Sequence, residues 1–239
     1  MNVAIVFAGG VGARMGSEVP KQFLELNGRP VLAHTLGIFQ RHARVDKIVL
    51  VVAPAHFDDS RALAAAYGIS KLHRLVACGD SAQESIYNGL RAAAEDFPPE
   101  TTVLLHDGVR PYLEPQVIDA NIDGVEKFGN AVTYTPCYET IVLSKDGEKI
   151  SSMPYRKESY TAQAPQSFRL GDILAAHEKI RARPEGYVDM VDQATICFTL
   201  GIPIHLVRGN RGNVKITTPE DIVMLESLIK WQRGRETGR

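Results

Sequence analysis

The residues Ala8–Gln22 read Ala-Gly-Gly-Val-Gly-Ala-Arg-Met-Gly-Ser-Glu-Val-Pro-Lys-Gln. Gly9, Gly10, Gly12 and Gly16 let a backbone turn sharply and approach something bulky. With no Cβ in the way, several loop amides can converge on one anion. Arg14 adds a planar fork and Lys21 a mobile point charge. The simplest ligand for this combination is a polyphosphate. The pattern is not a P-loop, because no Gly-Lys closes it. Nor is it a dinucleotide fingerprint: counted from Gly10, Met15 stands where Gly or Ala is needed. A plain turn between strand and helix is the competing reading. It leaves the joint arrival of Arg14, Pro20 and Lys21 without a reason.

Further along, Asp107 follows an apolar run ending at His106 and shares its loop with Arg110. A carboxylate there can hold a hydroxyl, a metal or a base, or it can cap the turn that Pro111 enforces. His106 reads as a packed ring. Ser85 falls in the first turn of a helix after Gly79-Asp80, where helix-start chemistry competes with a ligand contact. Arg156 and Lys215 would each be unremarkable alone. No nucleophile sits at a strand-to-helix elbow with His and Asp partners. Positioning and charge stabilisation of a phosphoryl reaction therefore remain as the chemistry. No His pair has metal-ligand spacing on a helix, so Mg²⁺ is expected to ride in on phosphates.

The elements that must position these groups alternate. Asn2–Ala8, Lys47–Ala53, His73–Ala77 and Thr102–His106 read as buried strands. Helices are expected over Val31–His42 with Pro30 in the first turn, over Ala55–Tyr67, from Ser81 as cap to Glu95, and over Glu114–Phe128. Such alternation predicts a Rossmann-like α/β fold: a three-layer α/β/α sandwich on a mostly parallel sheet. Ligands bind at the carboxyl ends of such strands, which brings Gly9–Lys21, Gly79–Ser85 and Asp107–Arg110 to one rim.

The rhythm breaks near Ala131. Val132–Tyr134, Thr140–Leu143 and Ile150–Met153 read as short strands, with Ser144-Lys145-Asp146-Gly147 as a hairpin turn. This predicts a protruding β-arm over about residues 133–160, set within one domain spanning 1–239. A two-stranded ribbon is marginal alone, so a second subunit is expected to cover it. Leu170–Arg181 and Asp192–Leu200 read as helices and Pro203–Val207 as a last strand. Thr218 and Pro219 open a closing helix, and Arg233–Arg239 reads as a frayed tail.

Composition narrows the class. The chain has 239 residues and a net charge of -1, so no global field favours nucleic acid or a membrane surface. No apolar run approaches the length of a membrane span, and no signal peptide is read. Cys78, Cys137 and Cys197 are scattered and odd in number, which predicts reduced thiols in the cytoplasm.

The motifs, in order, are similar to those of the cytidylyltransferases that join CTP to a polyol phosphate. They are Ala8–Met15, Pro20-Lys21-Gln22, Gly79-Asp80 with Ser85, His106–Pro111, Glu139-Thr140, Pro165-Gln166 and Asn213–Asp221, and they cover nearly the whole chain. The resemblance implies roles by position. Ala8, Gly9, Gly10, Gly12, Arg14 and Lys21 would hold the CTP triphosphate and Mg²⁺. Gly79, Asp80 and Ser85 would read cytosine and ribose. Arg14, Lys21 and Lys215 would be catalytic, stabilising charge on the pentavalent transition state. Asp107, Arg110 and Lys215 would bind the acceptor, and Thr140 and Arg156 would reach its phosphate across a homodimer.

Two positions depart from the pattern. Ala82 stands where the family usually carries Arg, and Ala164 where it carries Thr. Gly9 and Met153-Pro154-Tyr155-Arg156 lean toward D-ribitol 5-phosphate as acceptor. The alternative acceptor is 2-C-methyl-D-erythritol 4-phosphate. A glycosyltransferase would show an Asp-x-Asp site near His106-Asp107-Gly108, and none occurs. A non-catalytic nucleotide-binding protein would have lost Arg14, Lys21 or Asp107, and all three are present.

Overall fold

A computed structural model describes residues 1–10 and 19–236. Gly12, Arg14 and the neighbouring part of the glycine loop lie outside the described residues. The central strand, β1 (Asn2–Phe7), is apolar at nearly every position because both of its faces are covered. After the undescribed stretch, the first connection includes a short 3-10 turn at Lys21–Phe23 and a small ribbon, β2 (Glu25–Leu26) and β3 (Arg29–Pro30). Asn27 and Gly28, at φ 50 and 73, make the ribbon's turn. Two successive positive φ angles are what a tight hairpin of the right twist requires. Helix α1 (Val31–Arg41) follows, so Pro30 sits just ahead of the helix rather than in its first turn.

The chain then alternates. Strand β4 (Lys47–Val52) leads to α2 (Phe57–Ala66), and β5 (Leu72–Ala77) to α3 (Ala82–Asp96). Strand β6 (Thr102–Asp107) leads to α4 (Pro115–Phe128) and then β7 (Asn130–Pro136). Ser81 caps α3 as expected, its hydroxyl accepting from Glu84 N at 3.1 Å. Strand β8 (Tyr160–Arg169) runs directly into α5 (Leu170–Arg181). Helix α6 (Gln193–Thr199), strand β9 (Leu206–Arg208) and helix α7 (Pro219–Glu236) complete the described chain. Helix α7 continues beyond Arg233, where a frayed tail was expected, and residues 237–239 lie outside the description. Among the described residues no helix is long and apolar enough to cross a membrane.

The sheet has the order β5-β4-β1-β6-β8-β7-β9. All neighbours pair in parallel except β8, which is antiparallel to both β6 and β7. Alternate residues of the central strands feed two cores. Ala4, Val6, Leu50 and Leu104 face α1, α2 and α4, while Ile5, Val49, Val51 and Leu105 face α3, α5 and α6. This is the three-layer α/β/α sandwich that the sequence predicts. A third cluster, with Leu26, Val31, Val109, Ile216, Leu225 and Ile229, packs α7 against the β2–β3 ribbon. It anchors the segment that carries Lys215.

The arm departs from expectation. Between Cys137 and Ser159, whose backbones meet at 3.1 Å, only a single bridge between Leu143 and Ser152 forms. The strands read at Thr140–Leu143 and Ile150–Met153 are otherwise open chain. The reason is physical: Val142, Leu143, Ile150, Met153 and Tyr155 are all exposed, and a ribbon with no surface beneath it cannot hold its pairing. The Ser144–Gly147 turn does form, through Gly147 N to Ser144 Oγ at 2.9 Å.

Candidate active site

The carboxyl ends of β1, β4, β5 and β6 open into one cavity of about 620 Å³. Its floor starts at Ala8, Gly9 and Gly10, the turn leaving β1. Gly9 has to be glycine here. A Cβ on it would stand 2.6 Å from Cys78 Cβ, on the turn after β5. Gly79 is similarly pressed, with an added Cβ 2.5 Å from that of Glu84. The two turns are thus packed onto each other before any ligand arrives. Ser85, buried on α3, locks the arrangement: its hydroxyl donates to Ser81 O at 2.8 Å and accepts from Gly79 N at 3.1 Å. With its proton committed, Ser85 can offer a ligand only a lone pair. Asp80, Ser81 and Ala82 form the adjoining exposed wall.

Lys21 enters from the 3-10 turn, its side chain passing beside Gly10. Its ammonium donates to Ile216 O at 3.3 Å. The same residue, Ile216, donates its N–H to Val109 O at 3.0 Å, stitching the Lys215 segment to the loop after β6.

That loop holds the strongest charge cluster of the site. Asp107 accepts from Arg110 Nε at 2.7 Å through one oxygen and from Lys215 Nζ at 2.7 Å through the other. Arg110 also donates to Asn213 O at 2.8 Å, and Asn213 in turn donates to Ala164 O. Burial alone would raise the Asp107 pKa; Arg110 and Lys215 outweigh it and hold the carboxyl at about 2. Asp107 is therefore ionised, with both oxygens engaged by cations. His106, directly before it, is fully buried against the edge of Phe39. Burial lowers its pKa to about 4, so the ring is neutral at pH 7, and its Nε2 lies 3.2 Å from Arg110 O. It braces the turn, the packed role read from sequence.

The cavity is also lined by Ala164 and Gln166, which the sequence motifs include without a site role, and by Ala162, Gln163 and Val191–Gln193, which escaped sequence reasoning. Strand β8 runs opposite to its neighbours, pairing Gln166 with Leu105, so its N-terminal half extends past the end of β6 to the rim. Gln166 then donates to Asp192 Oδ2 at 2.8 Å and accepts from Ala194 N at 3.0 Å. Asp192 caps α6, accepting from Thr195 N at 2.8 Å. The Asp-x-x-Thr spacing was a legible helix start; its place at the rim was not.

Of the residues singled out from sequence, Ala8, Gly9, Gly10, Lys21, Gly79, Asp80, Ser85, Asp107, Arg110 and Lys215 meet at this cavity. Thr140 and Arg156 do not line it. Both are exposed on the arm, where Arg156 Nη1 donates to Tyr138 O at 3.3 Å. Among the described residues no cluster of three acidic, His or Cys side chains could cage a metal.

A doubly wound sheet with a glycine turn and Lys21 facing a second pair of cations is the arrangement of a nucleotidyltransferase. The chain belongs to the family described as 2-C-methyl-D-erythritol 4-phosphate cytidylyltransferase, whose model matches residues 2–230. It is similar to the ribitol-5-phosphate cytidylyltransferase of Streptococcus agalactiae serotype V, 41% identical over 229 residues and 95% of each chain. It is also similar to the 2-C-methyl-D-erythritol 4-phosphate cytidylyltransferase of Geotalea uraniireducens. That protein is 38% identical over 95% of this chain and 96% of its own. Among solved structures, 4-diphosphocytidyl-2C-methyl-D-erythritolsynthase from Anaerococcus prevotii superposes with a TM-score of 0.82. Identity there is 27%, with 96% of each chain covered.

Proposed function

We propose that the chain transfers CMP from CTP to D-ribitol 5-phosphate, giving CDP-ribitol and pyrophosphate. The observation that carries this reading is the single cavity with Gly9, Gly10 and Lys21 on one side and Asp107, Arg110 and Lys215 on the other. The first side suits a triphosphate; the second suits a phosphorylated polyol, with Asp107 taking a hydroxyl. The ribitol choice is supported by relatives of that name at 41% and 40% identity.

In this mechanism an acceptor phosphate oxygen attacks the α-phosphorus of CTP. One P–O bond forms, the bond to the β-phosphate bridge breaks, and pyrophosphate leaves. A phosphate monoester is already largely dianionic at pH 7, so the nucleophile needs no base. Lys21 and Lys215, together with Arg14 from the glycine loop, offset charge that builds on the α-phosphoryl oxygens. Both Asp107 oxygens are held by cations, so Mg²⁺ would be carried by the CTP phosphates, where it neutralises charge on the leaving group. Gly79, Asp80 and Ser85 border the space for cytosine and ribose.

We read the arm as a contact with a second copy in a cytoplasmic homodimer. Ile150, Met153 and Tyr155 are 60%, 58% and 61% exposed, large apolar side chains that a partner surface would cover. Thr140 and Arg156 would then serve the partner's acceptor phosphate.

One observation favours the second acceptor. Ala162, Ala164, Val109 and Val191 give the cavity an apolar patch that a C-methyl group would fill. The deciding experiment is a pyrophosphate-release assay crossing CTP, UTP and ATP with ribitol 5-phosphate, methylerythritol 4-phosphate and glycerol 3-phosphate. The highest kcat/KM is expected for CTP with ribitol 5-phosphate. A preference for methylerythritol 4-phosphate would transfer the assignment to that acceptor, and no turnover with any pair would overturn the enzyme reading.

A further inference from the structure

The connection between α5 and α6, residues 182–192, ends at the cavity with Val191 and Asp192. Its own backbone bonds are short-range turns: Gly186 N to Arg183 O, Val188 N to Glu185 O, and Met190 N to Tyr187 O. Turns of this kind shape a loop without fixing it to anything. Asp192 itself is secured to β8 by Gln166. Upstream of it, among the described residues, two buried polar side chains tie the loop to the body. His177 on α5 meets the Tyr187 hydroxyl at 2.6 Å, and Gln83 on α3 donates to Met190 O at 2.9 Å.

Gln83 is unusual in what it joins. It is buried in the first turn of α3, next in sequence to Ser81 and Ala82, which line the cavity. Its carboxamide uses both ends toward the α5–α6 connection and the start of α6. The NH₂ holds the Met190 carbonyl, and the oxygen accepts from Gln193 Nε2 at 3.2 Å. Val191 stands between those two contact points, 81% exposed at the mouth. A shift of α3 therefore carries Met190 and Gln193 with it, and Val191 follows. Buried carboxamides with both ends satisfied are rigid spacers, since breaking either bond strands a polar group away from water.

We propose that Gln83 is a positioning residue that sets the 182–192 wall of the cavity from the helix bearing the nucleotide-side turn. This rests on the reading above, in which Gly79–Ser85 borders CTP and Val191 lines the acceptor part of the same cavity with Ala162, Ala164 and Val109. Filling the nucleotide side is then coupled through Gln83 to the order of the Met190–Gln193 segment.

The test is hydrogen exchange on the whole protein, with and without CTP and Mg²⁺, for wild type, Gln83→Met and Gln83→Glu. Methionine keeps length and removes both bonds; glutamate keeps the acceptor for Gln193 and removes the donor to Met190. Without ligand, both variants are expected to exchange amides 186–192 at least tenfold faster, with α1 and α4 unchanged. CTP should slow that loop in wild type and fail to do so in either variant. In steady state the variants should raise the acceptor KM several-fold more than the CTP KM. Unchanged loop exchange in Gln83→Met, or a glutamate variant that matches wild type, would overturn the proposal. If CTP leaves Gly79–Ser85 unaltered in wild type, the nucleotide reading fails instead, and the ligand-free comparison still decides the role of Gln83. A variant that loosens every element equally, with both KM values moving together, would show a general structural role and overturn the positioning role.

Discussion

The Lys215 ammonium lies 2.7 Å from Asp107, while Arg110 occupies the other oxygen of the same carboxylate at the same distance. Lys215 is half exposed, whereas Asp107 and Arg110 are almost enclosed. The buried pair is therefore the fixed element and Lys215 the adjustable one. Asp107→Asn keeps the shape and removes the charge. It leaves Arg110 buried without its counter-ion, and breaking such a pair costs about 3 kcal/mol or more. The variant is expected to unfold at lower denaturant and to lose acceptor kcat/KM at least tenfold, with the affinity for CTP nearly kept. Wild-type acceptor kinetics would show that the cluster is only structural.

Lys21 approaches the same segment from the other side, through its bond to Ile216 O. A transition-state donor of this type is worth about 2.7–4 kcal/mol, so Lys21→Ala should lower kcat by roughly 10²–10³. Stopped-time pyrophosphate release at saturating CTP and acceptor reads this directly. A change confined to the KM of CTP would assign Lys21 to ground-state binding alone.

Gly9 offers a different kind of test. Its sequence reading was close approach to a ligand; the structure adds a protein reason, the Cys78 side chain against the missing Cβ. Gly9→Ala is expected to cost about 1–3 kcal/mol and to weaken CTP binding by prying the two turns apart. Cys78→Gly removes the opposing atom. The double variant should therefore bind CTP better than Gly9→Ala alone, as measured by titration calorimetry. Simple additivity of the two losses would mean the turns do not communicate.

That contrast bears on how much of the molecule its sequence discloses. The rim loops of β1, β5 and β6 were legible because parallel strands all present their carboxyl ends on one side, and turn residues mark those ends. Ala162 was missed, and Gln166 was named as a motif without a place at the rim, for the same reason inverted: β8 is antiparallel, so its entering half reaches the rim. Nothing in an apolar run records the direction in which it will pair. Gln83 and Gln193 were missed because a buried glutamine has no spacing signature; its role depends on a partner more than a hundred residues away. The arm strands were overread: their alternation was real, but Val142, Leu143, Ile150 and Met153 stay exposed and an unsupported ribbon does not hold its pairing. His106 was read correctly because a ring between a buried strand and a Gly turn has little room to titrate.

Two histidines make stability depend on pH. Burial holds His106 at about 4, and burial, with Arg181 nearby, holds His177 at about 4. The unfolded rings titrate near about 6.5. Below that value the unfolded chain takes up protons that the folded chain refuses, so stability falls as pH drops toward 4 and levels off beneath it. Each ring should cost roughly 2 kcal/mol by about pH 5. Asp107, held at about 2, adds stability that is fully present above the ordinary carboxylate range and starts to be lost only as pH falls below about 5. Denaturant midpoints across this range should fall for wild type and fall less steeply for His177→Phe. Equal slopes would place the sensitivity elsewhere.

Thr140 and Arg156 do not line the cavity that their own chain builds, and they stand on an arm whose apolar side chains lie open. If the arm completes a partner's site, the two halves of one site come from different chains. Lys21→Ala then damages a chain's own cavity, and Arg156→Ala damages its partner's. In a mixed dimer one cavity receives both defects and the other receives neither. Refolding the two weak variants together at equal concentration should place half the molecules in mixed dimers with one intact site each. The expected recovery is roughly a quarter of wild-type turnover, as two-fold symmetry dictates. Each variant refolded alone should stay at its own low level. Mixed dimers that form, shown by mass, yet recover no turnover would place Arg156 at its own chain's cavity or outside the reaction altogether.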